Sequence, residues 1–263
     1  MAVSEILVSK TSERGSEIYN ARLEESNQEL EHFAVIASHD LQAPLRKIKL
    51  FSEMLCKNVS ADDLEIAIRL KGAVAKMEHF ISDLFELSRV SKTGKPFRQV
   101  SLRGVIQGTI EDLEPFIHEA SVTIRLEVDG LVYGNKTQLE KVFLNLLSNS
   151  IKFKKIDTPL VIDICGLWIS KEFFQITVTD NGIGFQEEYC EKIFRPFERL
   201  HGANQFAGTG MGLAICQKII SRHGGQITAK SKETLGSEFS IRLSLNQKDE
   251  SSAFCLGQRV LLT

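Results

Sequence analysis

Residues 137–153 have the sequence Thr137-Gln-Leu-Glu-Lys-Val-Phe-Leu-Asn-Leu-Leu-Ser-Asn-Ser-Ile-Lys-Phe153, whose apolar residues are spaced as in an amphipathic helix. Two amides, Asn145 and Asn149, are four residues apart and share one face of that helix. Asparagine carbonyl oxygens suit Mg²⁺, although two solvated asparagines would give the same pattern. Lys152 and the two lysines after Phe153 could hold phosphate or complement the helix dipole. The helix by itself leaves a binding role and a structural role open.

Two glycine-rich loops lie farther along the chain. Asp180-Asn-Gly-Ile-Gly-Phe185 follows a predicted strand, and Gly208-Thr-Gly-Met-Gly-Leu213 precedes a predicted helix. Glycine permits positive φ and a close backbone approach to a ligand, and a helix N-terminus offers free N–H groups to a phosphate. Neither loop has the spacing of a P-loop or of a dinucleotide-binding fingerprint. Either loop alone could be a turn, but both loops behind the asparagine helix predict a nucleotide site of another kind.

The second half of the chain alternates between helical and strand-like patterns. Helical spacing covers residues 102–120, 137–153 and 212–223, and strand-like alternation covers residues 122–128, 160–164, 174–179, 226–230 and 238–245. Helices on one face of a mixed sheet would bury the apolar positions of both kinds of element. The pattern therefore predicts an α/β sandwich.

The first half of the chain has only helical periodicity. Two runs, Leu23 to Leu41 and Leu70 to Ser88, have a heptad pattern, in which mostly apolar residues at the a and d positions recur in alternating steps of four and three. We call the line of these a and d residues the seam of each helix. Residues 58–63 between these runs are polar enough for a turn, and Ser60 or Asp62 could cap the second helix. One such hairpin cannot bury both apolar faces, so we expect two copies to pair into a four-helix bundle. The predicted fold class is α+β, a helical-hairpin dimerisation domain followed by the sandwich.

Composition marks the boundaries between these parts. Gly, Pro and polar residues between Ser91 and Pro96 interrupt the helical pattern. We divide the chain into five parts: an N-terminal segment (1–16), a hairpin domain (17–91), a linker (92–98), an α/β domain (99–247) and a C-terminal tail (248–263). The short N-terminal segment suggests a longer parent protein or a separate input partner, and the tail receives no role.

The composition also excludes several classes of protein. Thirty-two basic and 34 acidic residues give a net charge of −2, which argues against a nucleic-acid binder. No apolar stretch is long enough to span a membrane, and residues 1–10 lack the form of a secretory signal. Five widely spaced cysteines without a C-x-x-C pair argue against a disulfide framework or a zinc site. A cytoplasmic protein with reduced thiols is expected.

Six motifs, in order, resemble those of sensor histidine kinases. Residues 137–153 resemble the N-box, 180–184 the first glycine box, 193–200 the F-box, 208–213 the second glycine box and 236–239 the late glycine block. Upstream, Phe33-Ala-Val-Ile-Ala-Ser-His-Asp-Leu-Gln-Ala-Pro-Leu-Arg46 resembles the H-box in the form found in phytochrome-like kinases. The resemblance extends over about residues 17–247.

Within the H-box, the resemblance implies that His39 accepts the phosphoryl group. The heptad places His39 at position f, facing away from its own seam. Asp40 is implied to orient the imidazole and accept its Nδ1 proton, and a plain surface aspartate is the alternative. Pro44 lies inside the predicted helix, so a bend just after His39 is expected. The family usually has Thr or Asn where this chain has Ala43, which puts phosphatase activity toward the partner in doubt.

For the α/β domain the resemblance implies an ATP site. Asp180 would accept a hydrogen bond from the adenine amino group, and Phe153 would line or stack on the base. Asn149, with Asn145 supporting, would hold Mg²⁺ across the phosphates, and Lys152 would neutralise phosphate charge.

The two glycine boxes and the F-box are implied to surround the nucleotide. The residues of the two glycine boxes would let the backbone close around the ligand: Gly182, Gly184, Gly208, Thr209, Gly210, Gly212 and Leu213. Residues 198–207 would form a mobile lid, anchored by Phe194 and Phe197, which could equally be plain core aromatics. Arg195 or Arg199 would contact the γ-phosphate.

The implied reaction is transfer of the γ-phosphoryl group of ATP to His39 Nε2, followed by relay to an aspartate of a receiver protein. ATP and Mg²⁺ are the implied cofactors. The implied partners are a second copy of the chain, a response-regulator receiver protein and an upstream sensor domain or partner. A gyrase- or chaperone-type ATPase shares the nucleotide fold but lacks a phosphoacceptor helix. A non-catalytic dimeric scaffold is disfavoured because Asn149, Asp180 and both glycine loops are intact.

Overall fold

A computed structural model of the protein describes residues 41, 44–56, 63–90, 96–200, 206 and 208–244. The chain divides into two compact units, Met1–Arg89 and Val90–Thr263. Several predictions lie outside the described residues: the bend before Pro44, the first seam up to Ala37, and the roles of His39, Asp40 and Ala43.

The described part of the first unit is a pair of helices, α1 (44–56) and α2 (Leu64–Arg89). An ion pair joins them, with Lys49 Nζ 2.8 Å from Glu78 Oε2, but both side chains are partly exposed and the pair contributes little to stability. The main contact is apolar, through a buried cluster of Leu45, Val74 and Ile81. The predicted helical hairpin is confirmed.

Burial in the hairpin follows a spacing of seven residues. In α2 the buried residues are Ala67, Val74, Ile81 and Ser88. Leu70 and Met77, which belong to the predicted seam, stay 41% and 52% exposed. Leu41, Ile48 and Leu55 recur at the same spacing in the first helical stretch and are each nearly half exposed. One hairpin therefore buries half of its seam and leaves a second apolar stripe open.

The second unit is built on two β-sheets. The small sheet pairs β1 (Arg98–Ser101) with β3 (Leu131–Gly134) in antiparallel fashion. The main sheet has the order β2 (Thr123–Glu127), β4 (Val161–Trp168), β5 (Phe173–Asp180), β7 (Gly236–Ser244) and β6 (Gln226–Lys232). Strand β2 runs parallel to β4, and the other neighbouring pairs are antiparallel. The sheet is mixed, as predicted.

The described part of the second unit also has four α-helices: α3 (Leu102–Asp112), α4 (Glu114–Ala120), α5 (Lys136–Lys152) and α6 (Gly212–Arg222). Every second residue of β5 is buried, which is the pattern of a sheet with one covered face. Helix α5 adds Phe143, Leu146 and Leu147 to the same core, each at most 1% exposed. Two short 3₁₀ helices, Glu187–Tyr189 and Lys192–Phe194, lie between β5 and α6. The predicted α/β sandwich is confirmed.

The structure corrects the prediction in two places. The helix expected over residues 102–120 is two helices that meet at Leu113 (φ −94°, ψ 1°). Pro115 explains the break, because proline has no N–H to continue α3 and is tolerated only in the first turn of α4. The small β1–β3 sheet was not predicted, because strands of four residues are too short to show an alternating pattern.

The described residues also bear on the expectations about cysteine pairing and membrane-spanning helices. Cys56, Cys165, Cys190 and Cys216 form no disulfide among the described residues, and Cys255 lies outside them. Within the described ranges, no helix has both the length and the hydropathy that a bilayer span requires.

One buried histidine ties the second unit together. His223 is 1% exposed, and its Nε2 accepts a hydrogen bond from the backbone N–H of Asn135 at 3.0 Å. Because Nε2 accepts, the ring proton is on Nδ1, which donates to the Ile219 carbonyl at 2.8 Å. Burial above all, and also the neighbouring Arg222, lower the pKa of His223 to about 4.

This pKa predicts an acid-sensitive stability. The unfolded chain binds a proton on this histidine near pH 6.5 and the folded chain only near pH 4, so protons favour unfolding in between. We expect His223 to remove about 3 kcal/mol of unfolding free energy as the pH falls through this window. Urea unfolding of wild type and His223→Gln across the window measures this term, and the variant should show a weaker pH dependence. Exposed His118→Gln is the control and should behave as wild type; equal slopes in all three proteins would contradict the assignment.

Candidate functional site

The carboxylate of Asp180, at the end of β5, is the centre of the site. It is 7% exposed and accepts four hydrogen bonds. Oδ2 accepts from the hydroxyls of Ser150 at 3.1 Å and Ser237 at 2.6 Å. Oδ1 accepts from the backbone N–H of Gly182 at 2.9 Å and of Ser237 at 3.3 Å. The donors come from α5, the first glycine loop and β7, so three separate segments meet at one buried acid.

Sequence reasoning missed the two serines that hold this carboxylate. Ser150 follows Asn149 on α5, and Ser237 follows Gly236, the glycine of the late glycine block. Both residues lie inside quoted motifs, but a hydroxyl next to an asparagine or glycine carries no signal of its partner. Only the packing of α5 and β7 against the end of β5 shows that they share one acceptor.

The first glycine loop packs too tightly to accommodate side chains. A Cβ on Gly182 would lie 2.7 Å from the Phe153 carbonyl oxygen, and Ile183 N–H donates to that same oxygen at 2.9 Å. Gly184 has φ +64°, and a Cβ there would overlap the Lys232 carbonyl oxygen. These contacts fasten the loop to the end of α5 and to the turn between β6 and β7.

The C-terminal end of α5 presents a positive charge. Lys152 Nζ lies 4.4 Å from the centroid of the Phe153 ring, and a Cβ on Gly208 would come within 3.0 Å of Nζ. Burial, and to a lesser extent the Arg199 guanidinium, lower the pKa of Lys152 below its ordinary value. No carboxylate of the described residues pairs with Lys152. An anion bound here would relieve both effects, so the position favours a phosphate.

The second glycine loop leads into α6 beside Asn145. Helix α6 begins at Gly212, where a Cβ would lie 2.7 Å from Asn145 Oδ1. Asn145 Nδ2 donates to the Lys141 carbonyl at 3.1 Å, which turns the amide oxygen toward the loop. Gly210 has φ +78°, and Thr209 Oγ1 accepts from Met211 N–H at 3.3 Å. Leu213 is half-buried in the first turn of α6. Helix, asparagine and loop thus form one packed unit.

Asn149 lies one helical turn beyond Asn145 and is half-buried. Among the described residues, none shares a hydrogen bond with its side-chain amide. The amide is therefore able to coordinate a ligand, which distinguishes it from the amide of Asn145.

The F-box side chains have different surroundings. Phe194 is 5% exposed and belongs to the core, whereas Phe197 is 49% exposed and has φ +68°. Phe197 N–H donates to the Gly210 carbonyl at 3.1 Å, and this bond ties the F-box to the second glycine loop. Arg199 Nη2 donates to the Phe206 carbonyl at 2.6 Å, and the Phe206 ring lies 4.8 Å from that of Phe153. The Arg195 side chain is exposed.

Comparison with known proteins identifies this unit. Residues 134–247 match the family of histidine kinase-, DNA gyrase B- and HSP90-like ATPases, and they form a domain of that family. The chain is, more particularly, a homologue of sensor histidine kinases.

The relatives share most of this chain. Cyanobacterial phytochrome B of Nostoc is 36% identical over 237 residues, which are 85% of this chain and 30% of that protein. The methanogenesis regulatory histidine kinase FilI of Methanothrix harundinacea is 32% identical over 219 residues, 81% of this chain and 24% of its own. The chain thus spans less than a third of the length of either relative.

Solved structures have the same fold. The catalytic domain of histidine kinase ThkA is 27% identical, covers 58% of this chain and all of its own, and has a TM-score of 0.50. Full-length ShkA, solved with AMPPNP, is 18% identical and covers 82% of this chain and 46% of its own, with a TM-score of 0.65. Because the second likeness spans both units, it extends to the fold of the hairpin.

The conformation of Gly236 predicts how a substitution there changes the stability of the domain. Gly236 has φ +104°, and a Cβ there would overlap the Asp180 carbonyl oxygen. We expect Gly236→Ala to lower the unfolding free energy by roughly 2 kcal/mol or more. The control is Gly108→Ala inside α3, where no atom lies near the added methyl and alanine should stabilise the helix by about 0.5–1 kcal/mol. Urea unfolding compares the two, and a Gly236→Ala protein as stable as wild type would show the close contact to be wrong.

Proposed function

We propose that the chain is an ATP-dependent protein histidine kinase that phosphorylates its own His39 and passes the phosphoryl group to an aspartate of a receiver protein. The observation that carries the proposal is the buried Asp180 carboxylate, held by four hydrogen-bond donors, together with a desolvated lysine, Lys152, at the end of α5. The domain family and the histidine kinase homologues support it.

Asp180 is suited to recognise adenine. Its orientation is fixed before the ligand arrives, so it can accept a hydrogen bond from an amino group without reorganising. The backbone carbonyl of Phe153, at the end of α5, contacts the same loop, and its phenyl ring would offer an apolar surface to a base. A guanine base, which has a carbonyl oxygen in place of the adenine amino group, would face the carboxylate with an acceptor and be rejected.

The phosphates would lie between α5 and the second glycine loop. Lys152 supplies positive charge next to Gly208, and the N-terminus of α6 supplies backbone N–H groups. The Asn149 amide oxygen fits Mg²⁺, because it is a hard ligand with no partner among the described residues. When bound, Mg²⁺ would neutralise charge on the phosphates. Asn145, which already bonds Lys141, would support Asn149 by fixing α6 against α5.

In the proposed reaction, His39 Nε2 attacks the γ-phosphorus, the bond to the β–γ bridging oxygen breaks, and ADP leaves. Asp40 would accept the Nδ1 proton and stabilise the charge that develops on the ring. The phosphoryl group would then move to a receiver aspartate docked on the helix around His39. Lid residues 198–207, with Arg199 near Lys152, would screen the phosphates from water.

The domain division given above is part of this proposal, with the phosphotransfer hairpin at residues 17–91 and the ATP-binding domain at 99–247. The relatives named phytochromes are much longer than the matched region, so an upstream sensor domain or partner would supply the signal. Such a kinase core would work in the cytoplasm.

The rival function is ATP hydrolysis coupled to clamp closure, as in the gyrase and HSP90 branches of the same family. Incubation with γ-labelled ATP and Mg²⁺ separates the two. We expect acid-labile, base-stable label on wild type and none on His39→Gln, since the acceptor nitrogen is lost. Asp180→Asn should lose label through weaker nucleotide binding, by roughly tenfold or more. Phosphate release without label on any protein would favour the ATPase, and neither label nor release would favour a scaffold.

Dimerisation through the hairpin is proposed from its open stripe. Leu70 and Met77 on α2, and Ile48 and Leu55 on α1, are exposed at heptad spacing although they are apolar. A second copy of the same stripe would bury them and complete a four-helix bundle.

The proposed dimer predicts that a charged residue placed in the apolar stripe changes the oligomeric state. Met77→Glu would place a carboxylate in the middle of the stripe, so we expect monomers at concentrations where wild type is dimeric. The control is Ile68→Glu on the same helix, nine residues away and therefore about 180° around the axis, with 57% exposure. Light scattering after size exclusion measures the mass. Equal masses for wild type and Met77→Glu would exclude this stripe as the interface.

A further inference from the structure

The segment that joins the two units enters the ATPase domain through an aromatic stack. The Phe97 ring lies 4.5 Å from the His223 ring at an interplanar angle of 23°. The Arg222 guanidinium lies 5.2 Å from the centroid of the same phenyl ring, and Tyr133 approaches it at 6.2 Å. Phe97 thus has a basic group, an imidazole and a phenol around it.

The other end of the same segment is held as well. Val90 is 4% exposed, and its carbonyl accepts a hydrogen bond from Gln138 Nε2 at 3.4 Å. Gln138 lies in the first turn of α5, next to the N-cap Asn135. Both described ends of the connecting segment, Val90 and Phe97, therefore contact the starting end of α5 or the finishing end of α6.

His223 gives Phe97 an immobile surface. Its two ring nitrogens are both hydrogen-bonded, one to the N-cap of α5 and the other inside α6. The backbone also packs closely on the ring, since a Cβ on Gly134 would come within 2.8 Å of His223 Cδ2. An imidazole fixed on three sides can transmit a displacement of its stacking partner to both helices.

In both helices, the end that lies far from the aromatic stack carries residues of the proposed nucleotide site. Helix α5 runs 17 residues from Lys136 to Lys152, next to Phe153, and α6 begins at Gly212 after the second glycine loop. The stack is thus at one end of each rigid helix and the phosphate-binding groups are at the other, about 25 Å along α5. A helix is stiff over this length, so a shift at the stack moves both ends.

We propose that Phe97 is a positioning residue that couples the connecting segment to α5 and α6, so that ATP bound in the domain is presented to His39. This rests on the proposed function. Phe97 is half-buried and takes part in neither hydrogen bond of His223, so its loss should leave the ATPase domain folded. An aromatic needed only for the core would instead affect stability and nucleotide binding together.

The test compares wild type with Phe97→Ala, the conservative Phe97→Tyr, and Phe116→Ala. Phe116 is 57% exposed on α4, which makes it a matched loss of a phenyl ring away from the stack. Three quantities are measured on the full chain: the Kd for AMPPNP, the rate of label transfer to His39, and the rate of trypsin cleavage after Lys92.

For Phe97→Ala we expect an AMPPNP Kd within about twofold of wild type, label transfer slowed roughly tenfold, and faster cleavage after Lys92. Phe97→Tyr should restore transfer because its ring can still stack, and Phe116→Ala should match wild type in all three.

Two results would overturn the proposal. The first is unchanged transfer in Phe97→Ala, and the second is a parallel loss of affinity and transfer, which would make Phe97 a plain structural residue. If wild type itself takes no label, the proposed function fails and the cleavage rates decide the remaining claim. Equal cleavage of wild type and Phe97→Ala would then show that the stack does not hold the segment.

Discussion

The structure of the ATPase domain depends on one buried carboxylate. A charged group that is 7% exposed is tolerated only when hydrogen bonds replace its water, and Asp180 receives four of them. The donors belong to a helix, a loop and a strand that are distant in sequence. Each of these segments must therefore reach the end of β5, and this requirement explains why Gly182 and Gly236 have no room for a side chain.

The helices α5 and α6 extend this constraint across the domain. At one end they carry Asn149, Lys152 and the second glycine loop, and at the other they are joined by His223. Because packed helices move as rigid bodies, the two ends cannot shift independently. The hairpin differs from the domain, since each of its helices buries one set of residues at heptad spacing and exposes another set. The hairpin therefore leaves an apolar stripe of its described residues exposed.

Much of this organisation could be predicted from the chain itself. The helices over 137–153 and 212–223, the five strands of the main sheet and the hairpin all have periodicities long enough to be recognised. Short or interrupted elements could not be predicted: β1 and β3 have four residues each, and the break at Leu113 required weighing Pro115 against an otherwise helical pattern. Within the site, Asp180 and the glycines stood out by motif, but Ser150 and Ser237 did not, because a serine is compatible with too many roles.

The sequence by itself determined the long helices, the strands of the main sheet and the order of the motifs that predict a nucleotide site. These features depend on residues close together in the chain, where periodicity and backbone preference act. Only the tertiary structure decided which groups meet. Ser150 and Ser237 reach Asp180 from 30 and 57 residues away, and His223 reaches Asn135 from 88. Such pairings are fixed by the packing of helices on a sheet, since a buried polar group must find its partner in whatever segment the fold brings beside it.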